Sequence, residues 1–390
     1  MIRIDEKAAV QRVTELITIH GGSGQETEVS DYVQRVLQSA GIPKSALAID
    51  TAHRRSPIGG ATGNLIVKLR GTKRGPRRLL MAHMDTVPLA VASVPVRDGD
   101  WIRPKSNQTA LGADDRSGCA VILTAILELI RQGIDYPPLT LLFTVQEEIG
   151  LVGARYLSAA KLGKPQLCFN WDGRDPLDLI VGAVGATYVN ATVSGIASHA
   201  GVHPDDGVNA GIVASLALAD LQGNGWHGLV VRGRQRGTSN IGIVQGGAAT
   251  NVVMPEIKVT AEARSHSRTF RAKIVREYRK AFDRAAKQLR NVDGRRASIH
   301  FAEDTRYEPF RIPKSAQAVR AARAAAKACG LTAQTSICNG GLDANWMAAH
   351  GYPAVTLGCG QHHIHTVDER LNIPEFLQAS RIACQIACGD

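Results

Sequence analysis

The chain has 390 residues, 44% of them hydrophobic and 21% charged, a balance that fits an ordinary globular protein and a length that favours two domains over one growing core. No apolar run approaches the ~20 residues a membrane span needs, and the opening MIRIDEKAAVQRV has two early acids and no signal-peptide apolar region. The net charge of +11 admits a nucleic-acid partner, but the basic residues fall into separate clusters at 68–78, 232–236 and 268–290, the last interrupted by Glu277 and Asp283, and no nucleic-acid-binding motif accompanies them; a solvated basic face is expected instead.

Residues 5–20 and 25–40 have helical periodicity, the second stretch opening at Ser23 with Glu26 three positions on, the spacing of a capping box. NLIVKLRG and RRLLMAHMDTVP read as successive strands. The second ends in His83-Met84-Asp85. Residues two apart on an extended chain face the same side, so one of the pair can bind a metal while the other orients it from behind; a surface loop is the plain alternative. Asp114 and Asp115 directly precede a long apolar-periodic helix that ends at Gly133. Helix capping and the helix dipole account for one carboxylate there, and two are more than capping needs.

The stretch from Leu139 to Gly150, LTLLFTVQEEIG, follows. Its apolar, β-rich start, bounded by Pro137 and Pro138, reads as a strand buried on both faces of a parallel sheet, and it stops on Glu147 and Glu148. Ligands of open α/β sheets bind outside the carboxyl ends of the strands, although a Glu-Glu pair alone is usually solvated surface. A helix near 152–162 leads into QLCFNWDG, another short apolar strand, ending on Asp172. Four strand-to-loop junctions thus deliver His83, Asp114, Glu148 and Asp172 to one edge of one sheet.

From about Gly182 the pattern becomes strand (GATYVNATVSG), helix (209–222), strand (TSNIGIVQGG), strand (EIKVTAEARS), helix (269–290) and strand (RASIHFAED), the β-α-β-β-α-β order of a ferredoxin-like unit. The expected architecture is α/β: one domain of residues 1–182 and 305–390 with a mixed, mostly parallel sheet, and an inserted domain of residues 183–304. Helix and strand alternation then resumes, and a glycine-rich turn before the last helix carries His362, His363 and His365, a metal signal or a pH-sensitive surface. The seven cysteines show no C-x-x-C spacing and read as reduced core thiols of a cytoplasmic protein.

Two histidines and three or more carboxylates form a mixed N/O set suited to zinc, or to manganese or cobalt, over magnesium or a copper thiolate site. One carboxylate bridging two ions, with two more ligands on each, would make a two-metal site with ions about 3.5 to 4 Å apart. Acids then remain for chemistry, the inventory of a metal-activated hydrolase.

The ordered segments MAHMDTVP, LGADDRSG, TVQEEIGLVGA, NWDG, SGIASHAGVHPDDGVNA and HTVDE resemble those of the dizinc aminopeptidase, carboxypeptidase and aminoacylase family, above all its peptidase T-like branch of tripeptide aminopeptidases. The resemblance spans essentially the whole chain, and NGGLDANWMAAHGYPAVTLGCG resembles the same branch. It implies a phosphorylase/hydrolase-like catalytic domain with an inserted lid and dimerisation domain. It implies that Asp114 bridges two ions, zinc with cobalt or manganese as alternatives, that His83 and Asp172 complete one ion, and that Glu148 and His365 complete the other. The Asp-Asp peptide is often cis in the family, and the same is expected of Asp114-Asp115. Glu147 would be the general base, Asp85 an acid behind the metals, and His199 a hydrogen-bond donor to the oxyanion, supplied by the partner subunit of a homodimer. Arg264 and Asn251 match substrate-holding positions. Ser265 and His266 stand where an acid is frequent, so fine specificity does not carry over. His362 and His363 match no family role.

The implied activity is release of the N-terminal residue from tripeptides by a metal-activated water with Glu147 as base. An N-acyl-amino-acid deacylase or a carboxypeptidase on the same scaffold is the alternative, because each cuts an amide and the ligands do not separate them. A noncatalytic binding protein is the reading outside enzymes; Glu147 beside a complete ligand set argues against it. The expected partner is a small peptide, with neither nucleic acid nor membrane.

Overall fold

The computed structural model describes residues 2–389, and the chain divides into two compact units. The first takes the chain up to Gly182, then Arg311–Cys338, then the chain from Leu342 on; the second takes Ala183–Phe310 and Asn339–Gly341. The return to the first unit falls at Arg311, later than residue 305, because the last strand of the second unit runs through Ser298–Tyr307. No helix among the described residues is long and apolar enough to cross a membrane.

The first unit is built on a mixed sheet. From one edge its strands include, in order, Leu47–Ile49, Leu65–Leu69, Leu139–Thr144, Arg78–His83, Leu167–Trp171, Ala354–Leu357 and Asp178–Ala183, and Gln334–Cys338 also pairs with Asp178–Ala183. The four from Leu139–Thr144 to Ala354–Leu357 are mutually parallel, and the flanking strands join antiparallel. Leu139–Thr144 and Arg78–His83 are buried at every position, which is why these runs are apolar without alternation. Helices Glu6–Thr18, Ala113–Gln132 and Ile373–Cys388 pack on one another, and Ala113–Gln132 packs on the central strands. The helix read at 152–162 is two pieces, Val152–Arg155 and a 3-10 turn Ala159–Leu162, broken where the Ser158 N–H donates to Asp50 Oδ2. A small antiparallel sheet of Pro95–Asp98, Trp101–Pro104, Gln361–His362 and Arg370–Asn372 ties the base of the loop that carries His365.

The second unit is an antiparallel sheet in the order Gly228–Arg232, Gln235–Gly246, Glu256–Ser265, Gly185–Ser194 and Ser298–Tyr307, with helices Ala210–Gly223 and Arg268–Gln288 burying its apolar face. The last four strands have the ferredoxin-like order. Gly228–Arg232 is an addition to the expected pattern: it hairpins through Gly233, in the left-handed region at φ 59°, and Arg234 onto Gln235–Gly246.

Candidate active site

Parallel pairing sets His83 opposite Thr144, so the segments after both strands start from the same sheet edge. His83 Nε2 lies 3.2 Å from Asp114 Oδ1, and its Nδ1 lies 3.1 Å from the Asp85 carbonyl oxygen and 3.4 Å from Asp85 Oδ1. Asp85, fully buried, also accepts the Glu147 N–H on Oδ1 at 2.9 Å and the Glu148 N–H on Oδ2 at 3.2 Å. One carboxylate therefore fixes both the histidine and the turn that carries the two glutamates. Ser23 Oγ donates to Asp85 Oδ2 at 2.6 Å, so the expected capping box does not form. Its other member, Glu26, accepts the N–H of Gly24 at 2.8 Å and of Gln146 at 3.0 Å.

Asp114 and Asp115 open the helix Ala113–Gln132, and the peptide between them is cis. Their carboxylates serve different partners. Asp115 accepts the His83 N–H on Oδ2 at 3.2 Å and the Gly118 N–H on Oδ1 at 3.1 Å; a Cβ on Gly118 would collide with this carboxylate and with the Trp171 carbonyl. Asp114 Oδ2 lies 3.1 Å from His365 Nε2, which in turn lies 3.0 Å from Glu148 Oε1. Ligand atoms of His83, Asp114 and Asp172 lie within 4.8 Å of one another, as do those of Asp114, Glu148 and His365. The two groups share Asp114.

The electrostatics are lopsided. Burial, with help from nearby carboxylates, pushes the pKa values of Glu147 and Asp172 well above the carboxylate range against the pull of His83. Neither side chain accepts a hydrogen bond from a described residue. Burial also raises Asp114, but hydrogen bonds from His365 and His83 outweigh it and hold that carboxyl low. Hydrogen bonds to Asp114 and Glu148 raise His365 to about 10. A dense set of carboxylates with two imidazoles, unbalanced in charge, fits a pair of divalent cations with N/O ligands.

Three participants escaped the sequence reading. Glu369, buried, accepts the Gly112 N–H at 2.8 Å and the Asp114 N–H at 3.1 Å, so it clamps the His365 loop to the Asp114 turn. Gln361 Nε2 donates to Asp114 Oδ1 at 3.2 Å, and Ser23 supports Asp85. Glu369 lies in the HTVDE segment, and that was its only signal. His362 is a packing residue, 2.6 Å from Glu375 Oε2 and edge-on to Trp101; His363 is exposed.

In the second unit, His199 is exposed, and its Nδ1 accepts the N–H groups of Gly201 and Val202, each at 3.2 Å. A neutral ring bonded in this way carries its proton on Nε2. Asn251 is held beside it, its carbonyl accepting the Ala200 N–H at 2.9 Å. Arg264 forms a two-pronged ion pair with Glu262, at 3.0 and 2.9 Å.

Residues 79–388 match the model of Peptidase family M20/M25/M40. The chain is an M20 peptidase. It is thereby an enzyme of the metallopeptidase class, with the peptidase T-like character that its motifs resemble. The M20 chain is 29% identical to a tripeptidase from Staphylococcus aureus, with a TM-score of 0.88 and 98% of each chain covered. It is 28% identical to aminopeptidase PepT from Bacillus cereus, with a TM-score of 0.84 and again 98% of each chain covered. Against Carboxypeptidase G2 of Pseudomonas sp. it is 34% identical over 221 residues, 54% of this chain and 50% of that relative.

Proposed function

We propose that this M20 peptidase is a two-metal aminopeptidase that releases the N-terminal residue of tripeptides. The observation that carries the reading is the pair of ligand groups joined at Asp114, with the unengaged Glu147 carboxylate in the turn beside Glu148. Asp114 would be shared by the two ions, His83 and Asp172 would help hold one, and Glu148 and His365 the other; the donor set suits zinc, cobalt or manganese. Two ions bound there would acidify a shared water and polarise the amide carbonyl.

The chain's own groups supply the rest. Glu147 takes the proton of the attacking water and passes it to the leaving amine; a proton affinity raised by burial brings a carboxylate nearer to the working pH of such a shuttle. Asp85 holds the His83 ring and the Glu147 backbone in register. His199 offers its Nε2 proton to the oxyanion. Asn251 holds the substrate, and Arg264 exchanges Glu262 for the peptide carboxylate, a bidentate match. The first unit is assigned catalysis, and the second the role of lid and dimerisation domain, with His199 acting across a homodimer. All seven cysteines are free thiols, which supports a reducing, cytoplasmic setting.

Similarity to a tripeptidase and to PepT supports N-terminal release, whereas similarity to Carboxypeptidase G2 favours a second reading, removal of a C-terminal residue. Metal-stripped protein reconstituted with zinc, cobalt or manganese is to be offered free tripeptides, N-acetylated tripeptides and N-acetyl amino acids. Turnover of free tripeptides with refusal of the acylated substrates is the expected result. Preference for acylated substrates would assign the carboxypeptidase or deacylase reading instead.

A further inference from the structure

We propose that a cavity in the first unit, at the sheet edge opposite the candidate active site, binds a small organic anion: a carboxylate or phosphate monoester on an apolar body. The cavity has a volume of about 830 Å³, within the range of small-molecule sites. Its position follows from the strands. Arg77 directly precedes Arg78–His83, Tyr136 lies just before Leu139–Thr144, and all line the end remote from His83 and Glu147.

The lining holds three cations, Lys68, Arg70 and Arg77, and no carboxylate. Lys68 is the exposed position of its strand, and Arg70, two residues on, faces the same side. None of the three forms an ion pair with a described residue. Arg77 is part-buried, and its Nη1 donates to the carbonyls of Leu69 at 3.3 Å and Leu139 at 2.6 Å and to Thr140 Oγ1 at 3.3 Å. The guanidinium is thus held in place by backbone. Partial burial lowers its pKa with no acid to offset the effect, so an oxyanion would supply the counter-charge that the neighbouring carbonyls and hydroxyl do not. The remaining wall is mostly apolar, with Ile42, Pro43 and Ile130 facing the same space beside Ser45 and Tyr136. Fixed guanidinium, two flanking cations and an apolar wall together select an oxyanion with a hydrocarbon body over a bare inorganic ion.

The test is calorimetric titration of the full-length, metal-loaded protein with hexyl phosphate, hexanoate, inorganic phosphate and hexanol. One molecule of hexyl phosphate or hexanoate should bind per chain, ~10-fold or more tighter than inorganic phosphate, because only the alkyl anions bury apolar surface; whichever of the two binds identifies the head group. Hexanol should not bind. A Lys68→Ala/Arg70→Ala variant should lose at least ~10-fold in affinity with its peptidase kcat/KM and melting temperature unchanged. Failure of both alkyl anions to bind, equal affinity for inorganic phosphate, or unchanged binding to the double variant would overturn the proposal. So would loss of binding on Asp114→Ala alone, which would place the anion among the candidate metal ligands.

Discussion

Asp85 Oδ1 accepts the Glu147 N–H at 2.9 Å while standing 3.4 Å from His83 Nδ1. A single buried oxygen therefore joins two segments that follow different strands. In Asp85→Asn one oxygen becomes an NH₂ that must face a backbone N–H or the His83 ring. A loss of ~10- to 100-fold in metal affinity or activity is expected, measured by competitive chelation and by kcat. Unchanged values for both would show that this tie is dispensable.

Glu147→Gln should retain both metals and the melting temperature while kcat falls by ~10²- to 10⁴-fold or more, the usual range for general-base catalysis. The amide is nearly isosteric but accepts no proton. Near-normal hydrolysis would assign the base to another group.

Two ions per chain are expected by elemental analysis of protein purified without chelator. Asp114→Ala should remove both, since Asp114 belongs to both ligand groups, and His365→Ala should weaken one preferentially. Loss of only one ion from Asp114→Ala would rule out a bridge.

Removing the metals should make stability fall with rising pH. In the metal-free fold Glu147, Asp115 and Asp172 have raised pKa values, chiefly through burial. A raised acid binds more protons folded than unfolded, so its contribution declines as pH climbs above the unfolded carboxylate value of ~4. Hydrogen bonds to Asp114 and Glu148 raise His365 to about 10, and its contribution, full below ~6.5, is lost as pH rises through that value. Both act in one direction between about pH 5 and pH 8. Asp114, held low by His365 and His83 despite burial, loses its share only at acid pH below that window. The melting temperature of chelated protein should therefore drop more steeply across this window than that of the metal-loaded form; parallel curves would sink the linkage.

Arg264→Ala should raise KM for free tripeptides more than for C-amidated ones. Since Glu262 holds the guanidinium in its two-pronged pair, Glu262→Gln should lower KM for the free peptides. Equal changes on both substrate classes would exclude Arg264 as the reader of the substrate carboxylate.

The central sheet was legible in the sequence because strands buried on both faces, such as Leu139–Thr144, leave unbroken apolar runs. The strand ends also placed His83 and Asp172 at one edge. What escaped depended on contacts distant along the chain. Ser23 has the spacing of a capping residue, yet Asp85, 62 residues away, takes its hydroxyl. Glu369 reads like any surface acid, and only the fold buries it against two backbone N–H groups. Gly228–Arg232 offers three apolar residues between glycine and arginine, too few to signal a strand before its hairpin partner is known.

Helix Ala113–Gln132 is buried along nearly its whole length, whereas residues 363–368 are exposed. Native-state hydrogen exchange should divide the site accordingly. Amides in the body of that helix should open only with global unfolding, and those around His365 through small local fluctuations. The helix that carries Asp114 is thus the slow-exchanging partner and the His365 loop the fast one, so a cation seated between Asp114 and His365 would escape through that loop, at a rate set by its opening and not by the stability of the fold.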